Sequence, residues 1–412
     1  GTIFLRDNVR LYLAPGATLL GSTDRRHLNP RHLIVADGVR NVAIEGRGTL
    51  DAQGENLWLT EPPEAFNPDE AYRWAEMWNY WRAYEVGRPI VIRDAEGVII
   101  RDLTIRDSPE HTLVFEQSRD ILVDNLRIRN PLWGLNTDGI QVLGCEDVRI
   151  SNCDIITGDD AIVLKSETGR GGGRWVRNVT VTNCTIVTAT NGFKCGTGSV
   201  GGFERITFSN STITADTSKM TLRTISGVSL MVVDGGTLRD VTVSNVTMQG
   251  MRAPFFIRLG NRGRGQDEPV PGTVHNLTLS NIIARGAFLT PTLTGLPGHR
   301  VRDVLLSDIQ LIPEGGGTAE LADVEVPYQP ARYPEANMFG RLPSYGLFMR
   351  HAEGVVVRNW IVETQAPDAR PFLYARDAPN LVVDGVRVRN AAESPAPFAV
   401  LRETEDAVLD DV

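Results

Sequence analysis

Three aspartates recur in the sequence at a spacing that could support acid–base chemistry. Asp138 and Asp160 are each followed by a small residue and an isoleucine, they are 22 residues apart, and Asp159 directly precedes Asp160. If the chain coils with a period near 22 residues, Asp138 and Asp160 stack and Asp159 lies beside them. Carboxylates packed together push their pKa values apart, so that one stays protonated while another stays ionised. Hydrolysis of a glycosidic bond by a pair of carboxyl groups requires that division of roles.

The same alignment of coils brings further polar side chains to this face. His111 falls one coil before Asp138, and the segment 191–194, which ends in Lys194, falls one coil after Asp160. We therefore predict that His111, the three aspartates and Lys194 line one surface. Basic side chains that could add positive charge nearby are Lys165, Arg223, Arg258 and Arg262. A calcium site is the alternative interpretation of three converging aspartates.

Short repeated strands must position these residues. A unit of the form apolar-x-apolar-x-Asn recurs along the chain, with its asparagine at Asn125, Asn152, Asn183, Asn210, Asn245 and Asn281. Alternating apolar residues, β-branched side chains and a turn former at each corner are typical of strands, whereas helical periodicity is almost absent. The connections are too short for helical crossovers between parallel strands. The sequence therefore predicts an all-β, single-stranded parallel β-helix, in which Asn takes the left-handed conformation at a corner.

A solenoid also accounts for the length of the chain. A compact core stops growing at roughly 250–300 residues, whereas each coil of a solenoid buries itself against its neighbours. We therefore expect residues 1–412 to form one β-helix domain with two interruptions. An aromatic-rich insertion at about 56–88 is either a wall of a carbohydrate cleft or a cap that packs its own aromatics. A loop at about 313–350 is expected to be functional or mobile.

Composition restricts the classes of partner. The formal net charge of −9 argues against nucleic acid, which needs a basic face, but a local cluster of Lys and Arg can still bind an acidic sugar. The four cysteines show no CxxC spacing, which argues against a metal site and favours buried free thiols.

No apolar run is long enough to span a membrane. The chain begins at Gly1 without a methionine or signal peptide, which is typical of a trimmed form.

Two motifs resemble the signature of a known enzyme family. Asn136-Thr137-Asp138 followed by Gly158-Asp159-Asp160 resembles the polygalacturonases, the pectin-degrading glycosidases of glycoside hydrolase family 28. The segment 16–22 and Arg88-Pro89 are also similar to that family, and the similarity extends over most of the chain. The resemblance implies a right-handed parallel β-helix that cleaves a pectic or related uronate-containing polysaccharide or oligosaccharide, with inversion and without a metal or other cofactor. It also implies a secreted or periplasmic location.

The resemblance assigns roles to individual residues. Asp159 would be the general acid that protonates the leaving oxygen, and Asp138 and Asp160 would be the bases that activate water. An inverting pair needs about 6.5–9.5 Å between its carboxyl groups. Slightly offset residues in adjacent coils, which rise by about 4.8 Å, meet that need. The residues expected to bind substrate are His111, Asn136, Lys165, Lys194, Arg223, Arg258 and Arg262.

Two positions depart from the family pattern. The coil after the aspartate pair carries Gly-His-Gly in the polygalacturonases and Gly192-Phe193-Lys194 in this chain, so no histidine would tune the acid. The later Arg-x-Lys pair, which binds the galacturonate carboxylate, is replaced by Arg258-Leu259-Gly260. Arg258 could still hold a carboxylate through two hydrogen bonds, and Lys194 could replace the missing lysine.

These departures leave several functions open. A hydrolase that acts on rhamnogalacturonan is one. A polysaccharide lyase on the same fold is another, and it would need calcium or a strong base to remove a proton alpha to the uronate carboxylate. A non-catalytic carbohydrate-binding solenoid is favoured if Phe193 has abolished activity. The two irregular segments could close one end of a cleft, which favours exo action.

Overall fold

The structure, a computed structural model, describes residues 1–59, 81–82, 87–167, 172–215 and 224–412. The predicted substrate ligand Arg223 and most of the predicted aromatic insertion lie outside these residues. Three short 3₁₀ helices accompany the strands in the described part of the chain: Arg25–His27, Gly54–Leu57 and Ala319–Asp323. A small antiparallel pair is formed by Trp58–Leu59 and Trp81–Arg82.

Each coil contributes one short strand to a parallel sheet, which we call sheet 1. Its strands among the described residues are Ile3–Phe4, Ile34–Asp37, Ile90–Arg93, Leu113–Glu116, Ile140–Leu143, Ile162–Lys165, Asn191–Cys195, Ser226–Val232, Ala253–Leu259, Thr292–Thr294, Leu347–Arg350, Leu373–Arg376 and Ala399–Arg402. Consecutive strands of this list are hydrogen-bonded neighbours, so sheet 1 runs along the whole described length of the solenoid.

The rest of each coil forms a second parallel surface, sheet 2, in which most coils contribute two strands and the central coils one long bent strand. Its described strands are Arg10–Leu13, Thr18–Leu20, Arg40–Gly46, Thr49–Asp51, Glu96–Arg101, Thr104–Arg106, Arg119–Asp124, Arg127–Arg129, Glu146–Ser151, Asp154–Thr157, Trp175–Thr182, Thr185–Thr188, Gly202–Thr214, Thr237–Gln249, Thr273–Ala287, Val301–Pro313, Ala352–Arg358, Ile361–Glu363, Val382–Asp384, Arg387–Arg389 and Val408–Asp410.

The chain is a parallel β-helix, as predicted, because each strand pairs in parallel with its equivalent in the next coil. In sheet 1, Leu113 pairs with Ile140, Ile140 with Ile162, and Ile162 with Phe193. These apolar residues point inward and belong to one continuous core that fills the solenoid. The coil between Ile140 and Ile162 is 22 residues long, which is the spacing of the two matching aspartates.

The recurring asparagines occupy the predicted left-handed corners. The six have φ angles between 51° and 58°, a region that Asn tolerates better than most residues. Their side chains form a ladder from coil to coil: Asn245 Nδ2 donates to Asn210 Oδ1 at 2.9 Å, and Asn281 Nδ2 donates to Asn245 Oδ1 at 2.6 Å. The corner therefore repeats in register, which keeps the strands that follow it in register as well.

The two sheets differ on their outer faces. The long strands of sheet 2 alternate between buried and exposed residues, as expected for a surface with one side in water. In the middle of sheet 1, every residue of Leu113–Glu116 and of Ile140–Leu143 is buried. Other parts of the chain therefore cover the outer face of sheet 1, and it is on this covered face that the predicted site residues lie.

Candidate active site

Asp138 and Asp160 stack one coil apart, as the repeat predicts. Each lies two residues before a strand of sheet 1, and those strands pair through Ile140 and Ile162. Main-chain hydrogen bonds fix the stack: Gly139 N donates to Asp160 O at 2.9 Å, and Thr112 N donates to Asp138 O at 2.8 Å. The second bond places His111 directly before Asp138 in the same row. The predicted convergence of these side chains is therefore present in the structure.

Glycines allow the coils to approach closely at this point. A Cβ atom on Gly158 would lie 2.3 Å from the carbonyl oxygen of Gly134. A Cβ atom on Gly139 would lie 2.5 Å from the carbonyl oxygen of Ala161. Real Cβ atoms do not approach backbone oxygens so closely, so both sites require glycine. The small residues next to the aspartates are thus part of what holds the acids together.

Asp160 is held as a carboxylate. Lys194 Nζ lies 2.8 Å from Asp160 Oδ2, and Asn191 Nδ2 donates to Asp160 Oδ1 at 2.7 Å. Burial alone would raise the pKa of Asp160, but the charge of Lys194 and these hydrogen bonds lower it below its ordinary value. The same pair raises the pKa of Lys194 well above its ordinary value although burial opposes its charge. Both groups are therefore charged at neutral pH.

Asp159 is poised to carry a proton. Its Oδ1 accepts hydrogen bonds from the main-chain N of Asp160 at 2.8 Å and from Thr190 Oγ1 at 3.0 Å, and its Oδ2 accepts one from Asn136 Nδ2 at 3.1 Å. Burial and the neighbouring charge of Asp160 raise the pKa of Asp159 to about 6. A carboxyl group with such a pKa can donate a proton in mildly acidic solution.

Asp138 completes the triad, with looser contacts to positive charge. His111 Nε2 lies 3.6 Å from Asp138 Oδ1, and Lys165 Nζ lies 3.9 Å from Asp138 Oδ2. Burial and the charge of Asp159 raise the pKa of Asp138 well above its ordinary value. The three carboxyl groups therefore differ: Asp160 is ionised, whereas Asp138 and Asp159 favour protons. Such a set can donate a proton at one point and accept one at another.

Two polar residues of this site were missed by the sequence analysis. Asn191, not Phe193, stands in register with Asp160, since Ala161 N donates to Asn191 O at 2.9 Å. Thr190 Oγ1 lies 3.0 Å from both Asp159 Oδ1 and Asp160 Oδ1. Their spacing in the sequence, one coil after the aspartates, could have identified Asn191 and Thr190 as site residues. Both were overlooked because the family comparison was aligned on Phe193.

The expectation that Phe193 takes the place of a site histidine is therefore wrong. Its side chain is fully buried in the core, where it stacks on Phe208 with ring centroids 4.7 Å apart. Lys194, its neighbour in the strand Asn191–Cys195, points the opposite way, to Asp160. Phe193 supports the sheet under the site and leaves the chemistry of the outer face to Asn191 and Lys194.

The rarity of lysine in this chain was a second sequence feature that could have identified the site. The chain has three lysines among its 42 Lys and Arg residues, and two of them, Lys165 and Lys194, contact the aspartates. A lysine ammonium is a compact point charge, whereas a guanidinium is a wide planar fork. A narrow site between stacked carboxylates favours the compact cation, so the rare lysines of an arginine-rich chain point to such a site.

Arg258 is not placed as a substrate ligand, contrary to expectation. It is 1% exposed, and its Nη2 donates to Tyr328 O at 2.7 Å and to Gln329 O at 3.3 Å. Burial lowers the pKa of Arg258 to about 9, and the charge of Arg350 adds to this effect. The side chain thus anchors the 313–350 loop to sheet 1. It is covered by that loop and does not open onto the acids.

The guanidinium group of Arg262 is already paired with the carboxylate of Asp234. Its guanidinium forms a two-point contact with Asp234, with Nε–Oδ1 at 2.9 Å and Nη2–Oδ2 at 2.5 Å. Its Nη1 donates to Thr197 Oγ1 at 3.2 Å. A carboxylate of a substrate would have to compete with Asp234, which is fully buried. The predicted role of Arg262 in substrate binding remains a prediction.

The 313–350 loop contributes side chains to the site. The Tyr333 ring lies 5.9 Å from Lys194 Nζ and 5.8 Å from Arg262 Cζ. Two residues later, burial raises the pKa of Glu335 to about 7, against the opposing charge of Lys194. Ala336, which follows, is buried in a small apolar cluster on the outer face of sheet 1. The loop therefore closes the site beside Lys194 and adds a carboxyl group to it.

Arg88 and Glu110 border the site on the side of the earlier coils. Arg88 Nη1 lies 3.2 Å from Glu116 Oε1, and Arg88 Nε lies 3.7 Å from Glu110 Oε2. Glu110 Oε1 in turn lies 3.7 Å from His111 Nδ1. The Arg88-Pro89 motif thus supports the coil that carries His111.

Several features of the described residues bear on other predictions. The four cysteines are free and buried, as predicted. Among the described residues, no group of three or more His, Cys, Asp or Glu side chains is arranged to hold a metal ion. Within the same ranges, no helix has the length and apolar character needed to cross a bilayer.

The sequence matches the profile of one protein family. The family is described as Glycosyl hydrolases family 28, and the match covers residues 15–328, about three quarters of the chain. A probable polygalacturonase of Vitis vinifera is 25% identical over 291 residues, which make up 68% of this chain and 54% of that protein. The chain therefore spans about half the length of this curated relative.

Two solved structures share the fold. An exopolygalacturonase from Thermotoga maritima gives a TM-score of 0.59 at 20% identity, over 76% of this chain and 77% of that protein. A family 28 exopolygalacturonase from Yersinia enterocolitica gives a TM-score of 0.58 at 17% identity, over 99% of this chain and 70% of that protein. At these identities the likeness establishes the β-helix fold.

Proposed function

Because this chain belongs to glycosyl hydrolase family 28, we propose that it hydrolyses glycosidic bonds of a pectic or related uronate-containing polysaccharide or oligosaccharide. One observation carries the proposal: Asp159, whose pKa is about 6, lies directly beside Asp160, which Lys194 keeps ionised. A carboxylic acid and a carboxylate in one site are the two groups that acid–base hydrolysis of a glycosidic bond requires.

The proposed mechanism uses the two groups in turn. Asp159 donates its proton to the leaving glycosidic oxygen, and Asp160 accepts a proton from the water that attacks the anomeric carbon from the opposite side. After one cycle Asp160 holds the extra proton and Asp159 is ionised. The Thr190 hydroxyl, 3.0 Å from an oxygen of each, offers a route for returning the proton. No metal ion takes part in these steps.

The role of Asp138 follows less directly from its surroundings. The family resemblance assigns it as a second base, but its raised pKa favours a proton in the unliganded site. The charge of Lys165, 3.9 Å away, opposes that proton, and His111 Nε2 lies 3.6 Å from Asp138 Oδ1. A substrate that displaces water from this pocket changes which of Asp138, Asp159 and Asp160 holds a proton. Asp138 as a base, and His111 and Lys165 as substrate ligands, therefore belong to the proposal.

An exo mode of action is part of the proposal. The loop residues Ala336, Met338 and Phe339 pack on Met231 and Phe256 on the outer face of sheet 1, beyond Lys194. A groove closed in this way holds the end of a chain more readily than its middle. The two structures with the same fold described above are exopolygalacturonases, which agrees with this mode.

A rhamnogalacturonan hydrolase is the second candidate, and one observation favours it. The two arginines expected to hold a uronate carboxylate are engaged, Arg258 by loop carbonyls and Arg262 by Asp234. Glu335 adds a further acidic group beside Lys194. A subsite with this charge balance would accept a neutral sugar next to the cleaved bond more easily than a second uronate.

A panel of substrates tests the proposal. Polygalacturonate, its short oligosaccharides and rhamnogalacturonan are incubated with the protein, and the products are separated by chromatography. Saturated monosaccharides or disaccharides released from one end support exo hydrolysis, and the substrate that is cut decides between the two candidates. Unsaturated products that absorb in the ultraviolet indicate a lyase instead. Absence of any product from the whole panel would reject the enzyme and favour a binding solenoid.

Two variants connect the products to the site. Asp159→Asn is expected to lose hydrolysis, whereas Asp267→Asn, which changes an exposed loop aspartate away from the acids, should keep it. The two substitutions remove the same chemical group from the same chain. Equal activity in both variants would refute the assignment of Asp159.

A further inference from the structure

A second groove lies on the outer face of sheet 1, near the C-terminal end of the solenoid. Its volume is about 510 Å³. Three consecutive strands, Leu347–Arg350, Leu373–Arg376 and Ala399–Arg402, form one side. Residues 322–326 and Tyr328 of the 313–350 loop form the other. None of the predicted substrate ligands that the structure describes lines this groove.

Arginines line the groove at a regular interval. Arg350 pairs in register with Arg376, and Arg376 pairs in register with Arg402. Three arginines thus occupy one row along the solenoid axis, with their backbones about 4.8 Å apart, the distance between neighbouring strands. Like charges placed directly opposite one another in a sheet are unfavourable. Their alignment here, in a chain with a formal net charge of −9, indicates a binding role.

A row of aromatic rings runs beside the arginines. Phe348 and Tyr374 also pair in register, and their rings are stacked with centroids 5.4 Å apart. Tyr328 stands across from them on the loop, with its ring 4.6 Å from Arg350 Cζ. Ring faces stack on the apolar faces of sugars, and a guanidinium fork holds a carboxylate through two hydrogen bonds. The groove therefore combines both elements needed to hold an acidic saccharide.

The innermost arginine of the groove is buried and bound to the loop. Arg350 is 4% exposed, and its Nη1 and Nη2 donate to Val326 O at 2.6 Å and to Pro327 O at 2.8 Å. Its buried Nε has no hydrogen-bond partner among the described residues. Burial lowers the pKa of Arg350 to about 10, and the charge of Arg376 adds to this effect. A buried guanidinium with an unused donor favours a ligand that brings negative charge.

Acidic side chains also lie at the groove, and one of them pairs with an outer arginine. Arg376 donates to Glu403 Oε1 at 3.0 Å on the protein surface. Asp323 and Glu325 are exposed on the loop side. Exposed ion pairs of this kind are weak, so a multivalent polyanion can replace Glu403 at little cost. Arg402 is exposed and lies over the Tyr374 ring at 5.8 Å.

The groove and the candidate active site belong to the same surface. The row of sheet 1 that carries Lys194 continues through Phe256 to Phe348 and Tyr374. Four strand spacings, roughly 19 Å, separate Lys194 from Phe348. The packed loop residues that close the active site lie between them. The groove is therefore a separate site on the far side of this closure, within reach of one polymer chain.

We propose that this arginine–aromatic groove is a second binding site, which holds a uronate-containing polysaccharide away from the acids. The choice of ligand rests on the proposed function, whereas the groove itself does not. A polymer bound there keeps its chain end at a high local concentration near Asp159. Short oligosaccharides cannot reach both places, so they gain nothing from the groove.

The test removes the two outer arginines together, the half-buried Arg376 and the exposed Arg402. The double variant Arg376→Gln/Arg402→Gln leaves the buried Arg350 and its contacts to the loop in place. Arg358→Gln is the matched control, because Arg358 is an exposed arginine on sheet 2 that pairs with Asp384 at 3.1 Å. Thermal unfolding establishes that all variants are folded. KM is measured on long polygalacturonate and on a trigalacturonate, and binding is measured by electrophoresis through gels that contain polygalacturonate.

The expected result is specific to long, charged substrate. Two weak charge pairs with a ligand together account for about a two- to thirtyfold change in affinity. The double variant should therefore show a KM for the polymer raised by that factor, an unchanged KM for the trisaccharide, and less retardation in the gel than Arg358→Gln. A polymer whose carboxyl groups have been reduced to alcohols should retard the native protein less.

Three outcomes would overturn the proposal. They are equal retardation of the double variant and the control, an equal rise of KM on both substrates, and equal retardation by the charged and the reduced polymer. The gel measurement does not depend on catalysis. A parent protein without hydrolytic activity that is nevertheless retarded through Arg376 and Arg402 would reject the proposed hydrolysis and support the groove.

Discussion

Replacing Lys194 by methionine removes the cation that keeps Asp160 ionised. In the native protein the two charges are 2.8 Å apart, and the side chains are only 3% and 5% exposed. With an effective dielectric constant of about 20, their attraction is about 6 kcal/mol, and desolvation of both groups offsets much of it. Removing one partner of a buried pair destabilises a protein by about 3–5 kcal/mol. We expect Tm to fall by roughly 3–6 °C in a chain of 412 residues.

The pH dependence of this effect has a definite sign. Burial would raise the pKa of Asp160, but Lys194 lowers it below its ordinary value. The pair therefore stabilises the fold above the ordinary pKa of aspartate, and this stabilisation is lost as the pH falls through the lowered value. The difference in free energy of unfolding between the native protein and Lys194→Met should be largest near pH 7 and should shrink below pH 4.

Activity should change in the same direction. Without Lys194, Asp160 takes up a proton at a pH where the native protein keeps it ionised, so the acidic limb of the kcat profile moves to higher pH. At pH 5 we expect kcat to fall by about a hundredfold or more, the usual contribution of a general base. The assay is release of reducing ends from polygalacturonate between pH 3 and 8.

Lys165→Met is the matched control for this experiment. Lys165 Nζ lies 3.9 Å from Asp138 Oδ2, against 2.8 Å between Lys194 and Asp160, and its side chain is 19% exposed, so its loss should cost less stability than the loss of Lys194. The acidic limb set by Asp160 should move less in this variant than in Lys194→Met, because Lys165 lowers the pKa of Asp160 less than Lys194 does. A Lys194→Met protein with the native Tm and the native acidic limb would refute the claim that Lys194 controls Asp160.

Further predictions concern the acid, its hydroxyl neighbour and the loop anchor. Asp159→Asn should lower kcat by about 10²–10⁴-fold. The native pKa of Asp159 is raised to about 6, so its negative charge destabilises the fold as the pH rises, and Tm of this variant at pH 7 should not fall below the native value. Thr190→Val removes a hydrogen bond that lowers the pKa of Asp159, so the alkaline limb of the kcat profile should move to higher pH, and an unmoved limb would count against the contact. Arg258→Ala should destabilise the protein by about 1.5–3 kcal/mol, because hydrogen bonds to the loop are lost, and should speed proteolysis within 313–350. A variant with the native Tm and the native rate of proteolysis would contradict the anchoring role.

The stacking of the acids could be predicted because it depends on the local period of the chain. Asp138 and Asp160 each precede an inward isoleucine by two residues, and Ile140 pairs with Ile162. Register in a sheet is set by which residues face the core. Since the two isoleucines pair in register, the aspartates two residues before them reach equivalent places in adjacent coils. The same reasoning predicts the left-handed corners, since a turn former at a fixed place in each repeat is a local signal.

The misplacement of Phe193 shows where a motif comparison falls short. When Gly192-Phe193-Lys194 is matched to the Gly-His-Gly motif of the polygalacturonases, Phe193 falls at the position of the histidine. The pattern of inward residues decides otherwise, because Phe193 pairs with the core residue Ile162. Counting back by two residues, as for the aspartates, leads to Asn191. Periodicity applied without the motif would have identified this residue.

The covering of Arg258 could not be predicted from local sequence. Its partners, the carbonyl groups of Tyr328 and Gln329, lie 70 and 71 residues further along the chain. The loop that carries them has no repeat, so no period relates it to sheet 1. The same holds for Glu335, which reaches the site on that loop. Irregular segments are positioned by tertiary packing, in this case by the apolar cluster around Phe256 and Phe339.

The most direct test of the account is to follow polygalacturonate cleavage by proton NMR from the first minutes of the reaction. The account predicts saturated products whose newly formed reducing ends first appear with the anomeric configuration opposite to that of the cleaved bond, and it predicts that Asp159→Asn gives no such signal. Reducing ends of retained configuration, unsaturated ends, or the same signal from Asp159→Asn would contradict a proton donor at Asp159 working with an ionised Asp160.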